Sequence, residues 1–319
     1  MGRSAVPVLQ LPSILLALLL TTAGHAEIPV PHVATFGRWF VACDNTRRCE
    51  AWGVPEARGA DLRLIREPGR RRPSLILTTT KEVVSPLRID GERVPGTWRA
   101  GKGEDPILTL TDPAQIAQVL TLARAGHQLT AVDDVAVPLD GLPAALRRID
   151  DVQASASAIL PPKPRWRSTP ALANAAELAV ATRAGQSAAL QAAKCTPQTD
   201  RDEAHALDPA HAVVLLQCWS GAFQQSAVVV IVARTTGQGG TFAPTLPAGL
   251  GQSATLMEAG FDTATGQLST SARGRGMADC GQSAIWVWVH GAFRMAHLSY
   301  QAPCGGAEPG DWPAIYRTR

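Results

Sequence analysis

The sequence predicts an α+β protein of two β-rich domains. Short apolar runs that are rich in β-branched residues recur between turn residues, and such runs indicate strands. The segment Pro161-Pro162-Lys163-Pro164 separates two halves, because proline lacks the N–H donor that a helix interior or a central strand needs. We expect an N-terminal sandwich-like domain with two helices over 27–160 and a proline-rich linker over 161–170. A C-terminal antiparallel sheet with a leading helix should follow over 171–319.

The first 26 residues are typical of a secretory signal peptide. Arg3 supplies a positive charge, an apolar run covers Leu9–Leu20, and small residues precede a cleavage point after Ala26. The run is shorter than the roughly 20 apolar residues that a membrane-spanning helix needs. Cleavage leaves 319 − 26 = 293 residues, enough for two domains of about 150 residues each. We therefore expect a periplasmic or secreted protein with no transmembrane segment.

Six cysteines lie in the predicted mature chain, and an even number in an exported protein favours disulfide bonds. The sequence leaves several pairings open. Sequence proximity favours Cys43 with Cys49, Cys195 with Cys218, and Cys280 with Cys304.

The elements of the first half follow from local patterns. Asp112-Pro113 predicts the start of a helix, because aspartate caps the first turn and proline fits it, and Gly126 predicts its end. A second short helix has its apolar residues on one side: Leu142, Ala145, Leu146, Ile149 and Val152. Strands are expected at Phe36–Val41, Ser74–Thr80 and Pro106–Leu110.

The second half is predicted to begin with an alanine-rich helix from Ala171 to about Ala193 and to continue with strands. In the last predicted strand, Trp286 and Trp288 would share a face, because side chains alternate along a strand. A glycine- and proline-rich loop is expected over 237–251. The expected strands are Ala212–Cys218, Ala227–Ala233, Leu256–Phe261, Gln267–Ala272 and Ile285–Val289.

Two segments of the second half resemble each other. Trp219-Ser220-Gly221-Ala222-Phe223 and Trp288-Val289-His290-Gly291-Ala292-Phe293 each follow one apolar run and precede another. We expect a hairpin turn at glycine in both.

Several motifs resemble an exported proteobacterial family known only as domain of unknown function 1176. They are Trp39-Phe40-Val41-Ala42-Cys43-Asp44-Asn45, the segment from Leu139 to Gln153, Gly274-Arg275-Gly276-Met277-Ala278-Asp279-Cys280-Gly281, and Cys304-Gly305-Gly306. The third motif is the most specific, and it departs from the family at Ala278, where glycine is usual. The first half is also similar to the invasion-associated locus B proteins, which are exported and bind no known cofactor. The resemblance implies a periplasmic location, no cofactor and no assigned activity.

A zinc site is one alternative, because Cys280, His290, His297 and Cys304 are suitable ligand types. Their spacing matches no short zinc motif, and cysteines oxidised after export cannot bind as thiolates. We therefore expect disulfides and no metal.

Nucleophilic catalysis is a second alternative. The sequence contains neither a Gly-x-Ser-x-Gly elbow nor a Ser-x-x-Lys segment. Because catalytic triads are recognised by geometry, Asp279 and His290 stay as candidate catalytic residues. For Asp279, a turn-forming or capping carboxylate beside a disulfide is the preferred explanation.

Three further groups suggest binding. The basic cluster of Arg66 and Arg70–Arg72 could contact an anionic cell-envelope polymer or form a solvated loop tip. Asp133-Asp134 and Asp150-Asp151 are paired carboxylates for which salt bridges are expected, with Arg147, Arg148 or the other domain as partners of the second pair. Trp52, Trp166 and Trp312 could line a sugar or peptide groove or pack in a core.

The absence of a catalytic motif favours a non-catalytic binding or structural module of the cell envelope. The alternatives are a hydrolase with a site near Asp279 and His290, and an interaction partner in an envelope assembly. The formal net charge of +3 does not indicate nucleic acid or a polybasic membrane-binding surface, so another periplasmic protein or an envelope polymer is the expected partner.

Overall fold

The computed structural model describes two helices and four antiparallel sheets, which confirms the α+β class. Several predicted features lie outside the described residues: the signal peptide, Arg70–Arg72 and Asp133-Asp134. Most of the linker and most of the alanine-rich helix also lie outside them. The structure describes residues 32–54, 59–69, 73–81, 83, 86–101, 106–132, 135–154, 162, 164–166, 189–190, 193–195, 201–244, 246, 254–305 and 308–318.

The first sheet has seven strands in the order β1-β2-β3-β4-β5-β9-β8. The strand expected to begin at Phe36 is a hairpin instead, because Gly37 adopts a φ of 56° and Phe36 pairs with Trp39 across the turn. The strands are β1 (His32–Phe36), β2 (Trp39–Cys43), β3 (Cys49–Gly53), β4 (Ala60–Arg66), β5 (Ser74–Thr79), β8 (Arg99–Ala100) and β9 (Ile107–Leu110).

A second, four-stranded sheet and both predicted helices complete the N-terminal half. The sheet order is β11-β10-β6-β7. As predicted, the Asp112 side chain caps α1 by accepting a hydrogen bond of 2.9 Å from the Gln115 N–H, and the helix ends before Gly126. The elements are β6 (Arg88–Ile89), β7 (Glu92–Arg93), α1 (Pro113–Ala125), β10 (Gln128–Val132), β11 (Val135–Pro138) and α2 (Leu142–Ala154).

The C-terminal strands divide between two five-stranded sheets. The strand expected over Leu256–Phe261 is divided at Glu258, whose φ of 47° breaks the extended backbone, so β16 pairs with β14 and β17 with β18. The first sheet contains β12 (Glu203–Ala206), β13 (His211–Ser220), β14 (Gln225–Ala233), β15 (Gly239–Thr241) and β16 (Leu256–Met257). The second contains β17 (Gly260–Asp262), β18 (Gln267–Arg273), β19 (Gly281–Val289), β20 (Ala292–Gln301) and β21 (Ala314–Arg317).

Both predicted hairpins are present. The β13–β14 turn is closed by a 2.8 Å hydrogen bond from the Gly221 N–H to the Gln224 carbonyl. The β19–β20 turn contains His290 and Gly291, with φ values of 49° and 80°. As predicted, Trp286 and Trp288 lie in the same buried cluster.

Strand β2 is buried on both faces. Trp39 and Val41 point into a core with the two helices, while Phe40 and Ala42 point into a second core with side chains of both C-terminal sheets. The alternation of side chains along the strand explains this division. The two halves of the protein therefore share a hydrophobic core, and the predicted domain bounds stay a prediction.

Candidate functional site

The loop between β18 and β19 contains the most specific sequence motif, Gly274–Gly281. It folds back on itself, because the Gly274 N–H donates to the Cys280 carbonyl at 2.8 Å and the Ala278 N–H donates to the Arg275 carbonyl at 3.0 Å. The disulfide between Cys280 and Cys304 then ties the end of the loop to the segment after β20. The loop is therefore held by both hydrogen bonds and a covalent crosslink.

Glycine is required at two positions of this loop. A Cβ on Gly274 would lie 2.6 Å from the Cys280 sulfur, and a Cβ on Gly281 would lie 2.1 Å from the Ala272 carbonyl oxygen. Ala278 adopts a φ of 57°, a left-handed conformation that glycine adopts without strain. This explains why glycine is usual at that position in the family that the motif resembles.

Asp279 holds the loop from inside. Its side chain is fully buried, and both carboxylate oxygens accept hydrogen bonds from the Arg275 guanidinium, one of them from Nε at 2.7 Å. These hydrogen bonds raise the pKa of Arg275. The pair explains Asp279 as a structural carboxylate, which was the alternative to a catalytic role.

Asp279 and His290 do not form one site. They lie beyond opposite ends of β19, whose first and last residues, Gly281 and Val289, are roughly 26 Å apart over eight steps of about 3.3 Å. His290 is exposed in a turn. The structure therefore does not bring together the two residues that the hydrolase hypothesis placed near one site.

The four candidate zinc ligands do not form one site, because His290 lies at the far end of β19 from the two cysteines. Cys280 and Cys304 are bonded to each other, and the other two cysteine pairs are those favoured by sequence proximity. The Asp279 carboxylate lies beside this disulfide, with ligand atoms of all three residues within 4.8 Å of one another. The sulfurs there are not free thiolates, so this cluster lacks the ligands that zinc prefers.

A histidine–serine contact that the sequence did not indicate lies on β20. His297 Nε2 is 2.7 Å from the Ser299 hydroxyl, and Asp44 is near enough to affect the histidine charge. Burial lowers the pKa of His297, the Arg317 charge lowers it further, and Asp44 partly opposes both. Ser299 is only 4% exposed and the Asp44 carboxylate is bonded to other groups, so the arrangement does not present a nucleophile to a substrate.

The other sequence candidates lie in structural positions. Trp52 and Trp312 pack together in a buried cluster, and the Trp166 indole donates to the Leu207 carbonyl at 3.2 Å. Asp150 forms a salt bridge of 2.5 Å, and its partner is Arg66 of the same half of the chain.

Three large apolar side chains are exposed in the described residues, and they come from two neighbouring loops. Trp219 is 54% exposed, Phe223 44% and Met277 53%. Trp219 and Phe223 flank the β13–β14 turn, and Met277 lies in the motif loop. The loops touch, because a Cβ built on Gly276 would lie 3.6 Å from the Phe223 ring. We call these three side chains the sheet-tip surface.

Hydrogen bonds clamp the two loops of the sheet-tip surface together. The Gln224 amide accepts from the Arg273 N–H at 3.1 Å and donates to the Arg273 carbonyl at 3.4 Å. The Arg273 guanidinium donates to the Phe223 carbonyl at 3.1 Å. The disulfide of Cys218, which precedes Trp219, adds a covalent constraint. Apolar side chains are thus exposed on a rigid support.

The comparisons with known proteins identify relatives without an assigned role. A family model described as "Protein of unknown function (DUF1176)" matches residues 33–319. The "Uncharacterized protein YpfG" of Escherichia coli (strain K12) is 26% identical over 326 residues, which cover 91% of this chain and 94% of that protein. No solved structure matches the chain.

Proposed function

This chain belongs to the family "Protein of unknown function (DUF1176)", and we propose that it is a non-catalytic binding module of the bacterial cell envelope. Three disulfides support an oxidising compartment such as the periplasm, where such bonds persist. The signal peptide predicted over residues 1–26 supports the same location. No helix in the described part of the chain is long and apolar enough to cross a membrane.

The sheet-tip surface is the proposed binding surface. The observation that carries the proposal is that all three exposed large apolar side chains of the described residues belong to it. Clustered exposed apolar side chains mark interaction sites, and tryptophan in particular is enriched among residues that dominate binding energies. Since the loops are clamped, binding would order few further groups, which lowers its entropic cost.

Binding is favoured over catalysis by the state of the candidate catalytic groups. Asp279 is buried and paired with Arg275, and His290 lies at the other end of β19. In the histidine–serine pair on β20, Ser299 is buried and His297 is partly buried. The positions of these groups therefore support a binding surface in preference to an active site.

Hydroxyl-radical footprinting in intact cells tests the proposal. In the purified protein, Trp219 and Met277 should be oxidised readily, because both side chains are more than half exposed. In cells that export the protein, a bound partner should protect both residues at least threefold, while the exposed His290 should react as in the purified protein. Equal reactivity of Trp219 and Met277 in cells and in isolation would contradict the proposal.

A further inference from the structure

We infer that the sheet-tip surface binds the surface of an anionic phospholipid bilayer. This inference rests on the proposed function and specifies the binding partner. Its basis is the combination of residue types, the turn positions that they occupy and the charges around them.

The residue types suit a membrane interface. Tryptophan is enriched at the level of lipid headgroups, where one part of its ring is in an apolar and the other in a polar environment. Phe223 and Met277 add apolar side chains that favour the boundary of the acyl chains. Together with Trp219 they form an exposed apolar group that can insert into a lipid interface without a matching pocket in a partner.

The positions of the side chains favour a bilayer over a protein groove. Trp219 and Phe223 lie at the end of the β13–β14 hairpin, and Met277 lies in the loop that joins β18 to β19. Both connections are found where two adjacent strands of a sheet end. The Trp219 ring lies over the turn, because a Cβ on Gly221 would be 2.3 Å from it, and Phe223 and Met277 lie in the loops themselves. The two neighbouring loops can therefore enter the headgroup region together.

Exposed cations lie in segments that are linked to these apolar residues by sequence, by a disulfide or by a hydrogen bond. Arg275 is in the same loop as Met277, and its side chain is 44% exposed. Lys194 is exposed and precedes Cys195, which is bonded to the residue before Trp219. Arg201 is exposed and precedes Asp202, whose carboxylate accepts from the Gln217 N–H at 2.9 Å, two residues before Trp219.

Among the described acidic groups near the surface, Glu203 is exposed, with a side chain that is 53% exposed and lies 3.1 Å from His205 Nε2, and the others are less exposed. Asp279 is fully buried and paired with Arg275. Glu258 and Asp202 are partly buried and accept hydrogen bonds from backbone N–H groups, in the case of Glu258 from Gln225 at 2.9 Å. In the described part of the chain, three exposed cations and one exposed carboxylate lie beside the apolar residues, so the exposed charge there is mainly positive, which an anionic lipid surface attracts. The formal net charge of the whole chain is small and does not indicate this local excess of exposed positive charge.

The experiment measures co-sedimentation of the mature protein, with its disulfides intact, with vesicles of phosphatidylglycerol and phosphatidylethanolamine or of phosphatidylcholine alone. We expect binding to the anionic vesicles, at least tenfold weaker binding to phosphatidylcholine, and further weakening at high salt. The triple variant W219S/F223S/M277S should lose at least tenfold in affinity, and His290→Ser should bind like the wild type. Lys194→Gln and Arg201→Gln should each weaken binding about fivefold.

Depth is measured with brominated lipids, which quench nearby tryptophan. They should quench the wild-type fluorescence, and Trp219→Phe should remove most of that quenching although the other seven tryptophans stay. Anionic binding that survives the triple variant would overturn the inference. Absence of vesicle binding, with Trp219 and Met277 still protected in cells, would also overturn it and would point to a protein partner while the proposed function stands. Absence of both would contradict both.

Discussion

Arg317, on the last strand, forms an ion pair with Asp44, whose buried carboxylate lies in the loop between β2 and β3. The Arg317 backbone adds two hydrogen bonds to the Asn45 side chain, with its N–H donating at 2.9 Å and its carbonyl accepting at 3.0 Å. The C-terminal strand is thereby attached to the N-terminal sheet through one loop. Since that loop is closed by Cys43 and Cys49, the attachment has a rigid base.

Removing this ion pair should destabilise the whole protein. Arg317→Ala leaves the Asp44 charge buried without its cationic partner, although Thr46 and Arg48 still donate to it. We expect a loss of about 2–3 kcal/mol in the free energy of unfolding, measured with urea. Arg93→Ala, at an exposed position on β7, is the control and should cost less than about 0.5 kcal/mol. Equal effects of the two variants would show that the pair does not join the halves.

Asp61 should make stability depend on pH. Burial, aided slightly by nearby Asp311 and opposed by Arg63, raises the pKa of Asp61 from 3.8 to about 7. Because the folded-state pKa exceeds the unfolded-state value, the stabilising contribution of the neutral carboxyl is complete below pH 4 and is lost as pH rises to about 7. Relative to the wild type, Asp61→Asn should therefore gain roughly 3–4 kcal/mol between pH 4 and pH 8.

Denaturant unfolding of both proteins at the two pH values measures this effect. Asp90→Asn is a control of opposite sign, because a hydrogen bond from the His127 N–H lowers the pKa of Asp90. That variant should lose stability relative to the wild type as pH rises from 3 to 6. A constant difference between Asp61→Asn and the wild type across the range would show that Asp61 ionises normally.

Ala278→Gly should stabilise the motif loop. Ala278 adopts a φ of 57°, which costs a residue with a Cβ about 1–2 kcal/mol, whereas glycine loses more chain entropy on folding. The balance predicts a gain of roughly 0.5–1 kcal/mol in the free energy of unfolding. Ala272→Gly, in the extended strand β18, is the matched control and should cost roughly the same amount. A loss of stability in both variants would mean that the Ala278 backbone carries no strain.

The disulfide from Cys280 to Cys304 should contribute more stability than the one from Cys43 to Cys49. Their sequence separations are 24 and 6 residues, and loop entropy in the unfolded chain gives about 3.5 and about 2.4 kcal/mol. The double variants C280S/C304S and C43S/C49S, unfolded in urea, measure both values. If C280S/C304S unfolds at the wild-type midpoint, the crosslink does not hold the motif loop.

Much of the fold could be predicted where one local signal decided the structure. Asp112 and Gly126 mark the ends of α1 because a cap and a helix-terminating glycine act over a few residues. The prediction of one strand over Leu256–Phe261 is wrong, because Glu258 adopts a left-handed backbone conformation that a glutamate residue does not indicate in a sequence. Strands β3 and β4 were missed because Glu50 and Asp61 interrupt their apolar pattern on the face turned away from the first core.

The sheet-tip surface could not be predicted from the sequence. Trp219 and Met277 are 58 positions apart, and tertiary contacts such as the clamp between Gln224 and Arg273 bring their loops together. The similarity between Trp219–Phe223 and Trp288–Phe293 correctly indicated two hairpins. It did not show that Trp288 is buried while Trp219 is exposed, because that depends on which sheet covers each hairpin.

The double burial of β2 has a consequence for the evolution of this architecture. A strand that serves two interiors cannot change on either side without consequences for the other, so Phe40 and Trp39 constrain opposite halves of the molecule from adjacent positions. A gene fragment that encoded only the first half would produce a chain in which one apolar face of β2 is exposed, and such a surface promotes aggregation. Recombination that exchanges either half for an unrelated module should therefore be rare in this lineage.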